Sequence, residues 1–154
     1  MIKKISIAQK GLVLDKTKSK ILVIKYNNCP YLSDKINGKL GLPGGKIDFG
    51  EDPDRSFIRE VEEETGVIIT PSVPFHIYTW TYKKENTKKQ IVAVARLAFY
   101  KSGKPTKKII HEKETDIEKV KWINLEHIKI KEFVCDEHPV IKSFLKHVKQ
   151  NPFK

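Results

Sequence analysis

The apolar residues of this chain fall into short runs that are separated by polar segments rich in lysine, glycine and proline. Short runs enriched in β-branched and aromatic residues, and bounded by turn residues, are typical of β-strands. They predict strands at residues 5–14, 20–26, 40–42, 67–69, 75–82, 90–100 and 120–123. The run at 90–100 is apolar along most of its length, so we expect it in the interior of a sheet. Pro-Gly-Gly at 43–45 predicts a turn.

Two other segments repeat their apolar residues every three or four positions, which is typical of an amphipathic helix. The first begins after Asp52, a good N-cap, with Pro53 in the first helical position, and it stops at Gly66. Its expected inward stripe consists of Phe57, Ile58, Val61 and Thr65.

The second helix is predicted at residues 136–150, after one helical turn around 125–128. Its apolar face consists of Val140, Ile141, Phe144, Leu145 and Val148. Strands interspersed with these helices predict an α/β fold in which a mixed sheet lies between helices.

The length of 154 residues suits one domain, which we place at 1–154. No apolar run approaches the roughly 18 residues that a membrane span needs, and the first residues, MIKKISIAQK, lack the apolar core of a signal peptide. Two cysteines, Cys29 and Cys135, do not make a disulfide framework. We therefore expect a cytoplasmic protein that does not enter the membrane.

The formal net charge of +11 invites a nucleic-acid interpretation. Only Arg55, Arg59 and Arg96 among the 30 basic residues are arginines, however, and the lysines are spread through expected turns and the C-terminal end. Arginine dominates where bases and phosphates are bound by paired hydrogen bonds. A nucleic-acid partner is thus possible but not favoured, and the positive field would also attract anionic nucleotides.

The strongest chemical signal is an acidic cluster near the end of the first helix. Glu60, Glu63 and Glu64 are spaced i, i+3, i+4, which places them on one helix face. Carboxylates on one face repel each other unless solvent or cations neutralise them. Hard divalent cations such as Mg²⁺ prefer oxygen ligands of this kind and often bind phosphates as well. The pattern points to a metal-dependent enzyme acting on a phosphate compound.

The spacing within residues 45–67, GKIDFGEDPDRSFIREVEEETGV, sharpens this prediction. It resembles the Nudix box of the Nudix hydrolase family at every constrained position. Those positions are Gly45, Glu51, Arg59, Glu60, Val61, Glu63, Glu64, Gly66 and Val67. Leu-Pro-Gly-Gly at 42–45 also resembles the usual entry to the box, whereas Leu40 stands where many relatives have an aromatic residue.

The resemblance implies an α/β/α sandwich and hydrolysis of a phosphoanhydride in a nucleoside diphosphate linked to another moiety. It implies that Glu60, Glu63, Glu64 and the carbonyl of Gly45 coordinate Mg²⁺ or Mn²⁺, with glycine at 45 permitting close backbone approach and an unusual φ. Homodimers are common among relatives.

Two further catalytic assignments follow from the resemblance. Arg59 and Glu51 are similar to a pair that orients the catalytic loop and helix. The general base is open: Glu60 or Glu63 could accept the proton of the attacking water, and so could Glu112 or Glu114 from a later loop.

Substrate recognition is less constrained. Tyr78, Trp80 and Tyr82 alternate along one strand, so they share a face and could either stack on a nucleobase or pack in the sheet. Substrates compatible with the box are nucleoside triphosphates including oxidised forms, ADP-ribose, nucleotide sugars and dinucleoside polyphosphates. Two other hypotheses are a non-catalytic Nudix module that senses a nucleotide, and an RNA 5′-end pyrophosphohydrolase.

Overall fold

The computed structural model describes residues 1–27, 36–106 and 116–153. Its strands are β1 (Ile2–Leu14), β2 (Lys20–Tyr26), β3 (Leu40–Gly41), β4 (Gly44–Lys46), β5 (Val67–Lys84), β6 (Thr87–Gly103) and β7 (Ile117–Asn124). Its helices are α1 (Pro53–Thr65) and α2 (His138–Gln150). Short 3₁₀ turns lie at Leu125–His127, Ile130–Glu132 and Cys135–Glu137.

The strands form one mixed sheet with the order β3-β2-β1-β6-β5, in which β4 also pairs with β1 and β7 with β2. β1 runs parallel to β6, and the other pairings are antiparallel. β6 therefore lies between two strands, as its apolar sequence predicts.

A separate apolar core lies on each face of the sheet. α1 packs Phe57 and Val61 against Val13 and Leu22, whereas α2 packs Phe144 with other buried side chains on the opposite face. The predicted stripes of both helices face these cores, which confirms the α/β arrangement with a sheet between helices. Within the described part of the chain, neither helix combines the length and apolar character needed to cross a bilayer.

The ends of α1 follow from local chemistry. Asp52 is extended, and its carboxylate accepts a hydrogen bond of 3.0 Å from the backbone N–H of Arg55. Gly66 ends the helix in the left-handed region, with φ of 73°, and donates its N–H to the carbonyl of Glu62. The predicted start and stop of this helix are therefore confirmed.

Two boundary predictions are wrong because pairing between distant strands overrides local signals. The expected gap between residues 69 and 75 does not exist: β5 is continuous, with register irregularities around Pro71 and Pro74 where proline lacks an N–H to donate. The predicted turn at Gly44 and Gly45 contributes strand β4, because these glycines pair with residues 9 and 10 of β1.

Candidate active site

The start of α1 is fixed to the sheet by a buried polar cluster. Gln9 of β1 donates from Nε2 to the carbonyl of Pro53 at 2.7 Å. Arg96 of β6 donates from Nη1 to Gln9 Oε1 at 2.8 Å and pairs with Asp54 at 2.7 Å. Its guanidinium lies over the Phe57 ring, 5.2 Å from the centroid. Because hydrogen bonds from two strands converge on the first turn, and one of them is an ion pair, the acidic face has a fixed position relative to β1 and β4.

Arg59 gathers the predicted glutamates of the box. It binds both oxygens of Glu51 in a fork, with Nε to Oε1 at 2.8 Å and Nη2 to Oε2 at 2.9 Å. Its Nη1 also donates to Glu60 at 2.9 Å and to Glu63 at 3.2 Å. One guanidinium thus pairs with three carboxylates and connects the loop before α1 with the face of the helix.

The surroundings shift the pKa values of two of these carboxylates in opposite directions. The hydrogen bonds from Arg59 lower the pKa of Glu51 to about 2, so Glu51 is an anion throughout the physiological range. Burial raises the pKa of Glu60 above its ordinary value, although Arg59 acts to lower it. Raised carboxylate pKa values are common at sites where a proton or a cation is exchanged.

The two glycines at the start of the box, Gly44 before it and Gly45 as its first residue, have distinct roles. Gly44 has φ of 137°, and its N–H donates to Glu64 Oε1 at 2.9 Å, so it ties β4 to the end of α1. A Cβ on Gly45 would overlap the carboxylate of Glu60. The expectation of an unusual φ at Gly45 is therefore wrong, since the positive φ belongs to Gly44; Gly45 provides the close approach.

The donor chemistry of this region fits a hard divalent cation. Carboxylates of Glu60, Glu63 and Glu64 occupy one face of α1, and the missing Cβ of Gly45 lets the backbone of β4 approach them. Among residues 1–27, 36–106 and 116–153, no three Asp, Glu, His or Cys side chains converge on one point as metal ligands would. The three glutamates share a helix face but have different partners, because Glu60 and Glu63 are directed to Arg59 and Glu64 is directed to Gly44.

A narrow pocket opens on the α2 side of the sheet. Trp80 forms one wall, and the ring centroid of Tyr78 lies 5.7 Å from that of Trp80. Tyr78 is buried and donates its hydroxyl to Glu137 Oε1 at 3.3 Å, so its ring packs in the core. Tyr82 packs at the edge of that core, with the Lys89 ammonium 5.8 Å from its ring centroid. Of the three aromatic candidates, Tyr78 and Trp80 line this pocket, and Trp80 is the less buried of the two.

Several residues of the site carry weak sequence signals or none. Arg96 interrupts an otherwise apolar strand, which indicates a buried charge with specific partners, whereas Lys10 follows other polar residues of β1 and carries no such signal. Glu137 is 3% exposed in a polar stretch that gives no sign of burial. Glu112 and Glu114, the loop candidates for the general base, lie outside the described residues.

The sequence of this chain matches a known family and two characterised relatives. The family model of the NUDIX domain matches residues 8–144. The 8-oxo-dGTP diphosphatase of Haemophilus influenzae is 33% identical over 57 residues, which are 34% of this chain and 42% of that protein. The ADP-ribose pyrophosphatase of Methanocaldococcus jannaschii is 42% identical over 50 residues, which are 32% of this chain and 27% of that protein. The matched region thus spans less than half of either relative.

Solved structures resemble the whole described fold. The MutT protein from Methanosarcina mazei Go1 has a TM-score of 0.69 at 18% identity, covering 99% of both chains. The MutT NUDIX hydrolase from Burkholderia pseudomallei has a TM-score of 0.67 at 23% identity, covering 94% of this chain and 98% of that one. These likenesses confirm the predicted α/β/α fold. Because the family model spans residues 8–144, well over half of the sequence, the chain belongs to the NUDIX domain family.

Proposed function

We propose that this protein is a Mg²⁺-dependent hydrolase of a phosphoanhydride bond in a nucleoside diphosphate linked to another moiety. The observation that carries the proposal is the complete acidic face of α1, held by Arg59 beside the Gly44–Gly45 backbone. Mn²⁺ would bind the same oxygen donors.

Each residue of the site has a defined part in this reaction. Glu60, Glu63, Glu64 and the Gly45 carbonyl would hold the cation, which supplies charge neutralisation for the diphosphate and a lowered pKa for a bound water. Arg59, fixed by its two bonds to Glu51, sets the positions of Glu60 and Glu63.

The bond changes are those of a simple hydrolysis. The water oxygen forms a bond to phosphorus, the bridging P–O bond breaks towards the leaving phosphate, and a glutamate carboxylate accepts the water proton. Glu60 and Glu63 remain the candidates for this base within the described site, and Glu112 and Glu114 remain candidates from the later loop. Burial raises the pKa of Glu60, which favours proton uptake at that carboxylate.

The substrate class includes nucleoside triphosphates and their oxidised forms, ADP-ribose, nucleotide sugars and dinucleoside polyphosphates. The two curated relatives bear the names of different activities, one on 8-oxo-dGTP and one on ADP-ribose. Each of these substrates contains a nucleoside diphosphate linked to a further group, which supports the proposed substrate class. In the pocket, Trp80 offers a ring on which a base can stack.

A second candidate function is RNA 5′-end pyrophosphohydrolysis. An open groove of about 550 Å³ is lined by Lys25, Lys39, Lys121 and Lys131. Such a groove could contact the phosphates of a chain that extends from the site. The third hypothesis, a sensing module without catalysis, is less well supported because no glutamate of the box is replaced.

The proposal is tested by measuring hydrolysis in Mg²⁺ across a panel of substrates. The panel comprises normal and oxidised nucleoside triphosphates, ADP-ribose, nucleotide sugars, dinucleoside polyphosphates and 5′-triphosphate RNA. We expect turnover of at least one class that EDTA abolishes and added Mg²⁺ restores. A rate that EDTA leaves unchanged would contradict the mechanism, and tight binding without turnover would favour the sensing module. Preference for RNA with a steep salt dependence would select the second function.

A further inference from the structure

Lys10 is a buried lysine in a position where an apolar side chain would be expected. It lies on the inward face of β1 among the buried residues Ala8, Leu12 and Leu14, and it is only 8% exposed. Lysine is almost never buried unless its ammonium has partners. Its Nζ donates to the Gly44 carbonyl at 3.3 Å.

The ammonium has further electrostatic partners on three elements. The Tyr26 hydroxyl and the carboxylates of Glu64 and Glu137 lie close enough to act on its charge. Burial acts to lower the pKa of Lys10, but Tyr26, Glu64 and Glu137 together raise it above the ordinary lysine value. Lys10 is therefore a cation at physiological pH. An ammonium has three N–H donors, and the Gly44 carbonyl accepts one of them.

Lys10 also lines the pocket beside Trp80. The other described residues of the lining are Tyr26, Ile36, Tyr78, Val134, Asp136 and Glu137, so Lys10 is the one cation among them. The recess has a volume of about 50 Å³, which admits one edge of a planar ring and not a whole nucleotide. Asp136 and Glu137 disfavour a phosphate here, so the group that fits beside the ammonium is an uncharged hydrogen-bond acceptor.

Building on the proposed function, we propose that Lys10 is a specificity-determining residue that donates a hydrogen bond to a carbonyl oxygen of the inserted base. Bases with a carbonyl at that edge, such as guanine and hypoxanthine, would satisfy the ammonium. Adenine would present an amino donor to it instead, and a buried donor left unpaired strongly disfavours binding. The pocket would thus select oxopurine nucleotides.

The test compares GTP with the triphosphate of 2-aminopurine riboside, which lacks the carbonyl but keeps the 2-amino group. We expect wild-type kcat/KM to favour GTP by at least about 10-fold. Lys10→Met, which keeps the length of the side chain and removes the charge, should bring the two values to within about 3-fold, because the ammonium supplies the discrimination. Lys20→Met, at the exposed start of β2, should retain the wild-type ratio.

A second measurement does not depend on catalysis. Fluorescence titration of wild type and Lys10→Met with 2-aminopurine riboside, in competition with guanosine, reports the same preference by binding alone. If Lys10→Met fails to fold, Lys10→Met/Glu137→Gln removes one buried charge of each sign and is compared with Glu137→Gln.

The outcomes separate this inference from the proposed function. Equal use of both triphosphates by wild type, or an unchanged preference in Lys10→Met, would overturn the role of Lys10 while leaving the hydrolase intact. Loss of the preference in both binding and turnover would support it. Absence of hydrolysis with a Lys10-dependent preference for guanosine would reject the enzyme and retain the recognition.

Discussion

Gly44 and Gly45 are neighbours in β4, yet replacing each by alanine should affect different properties. A Cβ on Gly45 would overlap the carboxylate of Glu60, which is the far end of a flexible side chain. A Cβ on Gly44 would overlap the backbone carbonyl of Gln9, and its φ of 137° is unfavourable for other residues. Gly45→Ala therefore displaces one side chain, whereas Gly44→Ala displaces a strand.

The contacts of Glu60 set the magnitude for Gly45→Ala. Glu60 accepts one bond of 2.9 Å from Arg59, and its side chain is 22% exposed. A partly exposed pair of this kind contributes about 0.2–1 kcal/mol to the free energy of unfolding. Gly44→Ala instead introduces about 1–3 kcal/mol of backbone strain, and the shift of β1 adds to it. For turnover, displacing a ligand carboxylate by roughly 1 Å should lower kcat by about 10²-fold.

The assay pairs urea unfolding with kcat in Mg²⁺ for both variants. Gly38→Ala is the control, because Gly38 also has a positive φ, 77°, but an added Cβ meets nothing within 4 Å. That control should lose about 1 kcal/mol of stability and retain its kcat. If Gly45→Ala kept kcat within about 3-fold of wild type, the added Cβ would not displace the Glu60 carboxylate, because that displacement should lower kcat by about 10²-fold. A stability loss equal to that of Gly44→Ala would also contradict displacement of a side chain alone.

Three further predictions follow from the same contacts. Arg59→Lys loses the two parallel bonds to the Glu51 carboxylate and should lower kcat by about 10-fold or more. Arg55→Lys changes an exposed residue and should leave kcat nearly unchanged, so steady-state kinetics of the two variants tests the role of Arg59. Burial raises the pKa of Glu137 to about 7 from 4.5, so its contribution to stability is largest below pH 4.5 and is lost as the pH rises to 7. Urea unfolding between pH 5 and 8 should show wild type losing up to about 3 kcal/mol relative to Glu137→Gln, and parallel pH profiles would contradict this. Trp80→Ala should raise KM by about 10-fold if a base stacks there, with a smaller effect for Tyr82→Ala; an unchanged KM with lower stability would assign Trp80 to packing.

Local determinants made α1 predictable from the sequence. Asp52, Pro53 and Gly66 act within one turn of the helix ends, and the stripe containing Phe57 and Val61 follows the helical period. The acidic face was predictable for the same reason. The partners of the individual glutamates could not be predicted. Glu64 accepts a hydrogen bond from the Gly44 N–H, whereas Glu60 and Glu63 bind Arg59. The Gly44 contact depends on the pairing of β4 with β1, which local sequence does not determine.

The contacts of buried polar groups could not be predicted from local sequence because their partners are distant along the chain. Glu137 accepts the N–H of Leu42 across 95 residues, and Arg96 bonds Gln9 across 87. A charge in such a place is tolerated only because of partners that the fold supplies. Hence Arg96 stands out in the sequence only as a charge within an apolar run, and Lys10 does not stand out at all.

If one face of α1 supports metal-dependent hydrolysis, replacing two neighbouring glutamates should have very different effects on turnover. Glu63 lies on the predicted metal face, whereas Glu62 lies on the same helix turned away from Glu60 and Glu64. The measurement is kcat in Mg²⁺ for Glu63→Gln and Glu62→Gln on the preferred substrate, with circular dichroism to confirm folding. We expect kcat of Glu63→Gln to fall by several orders of magnitude and kcat of Glu62→Gln to stay near the wild-type value. Near-normal turnover of Glu63→Gln would contradict this expectation.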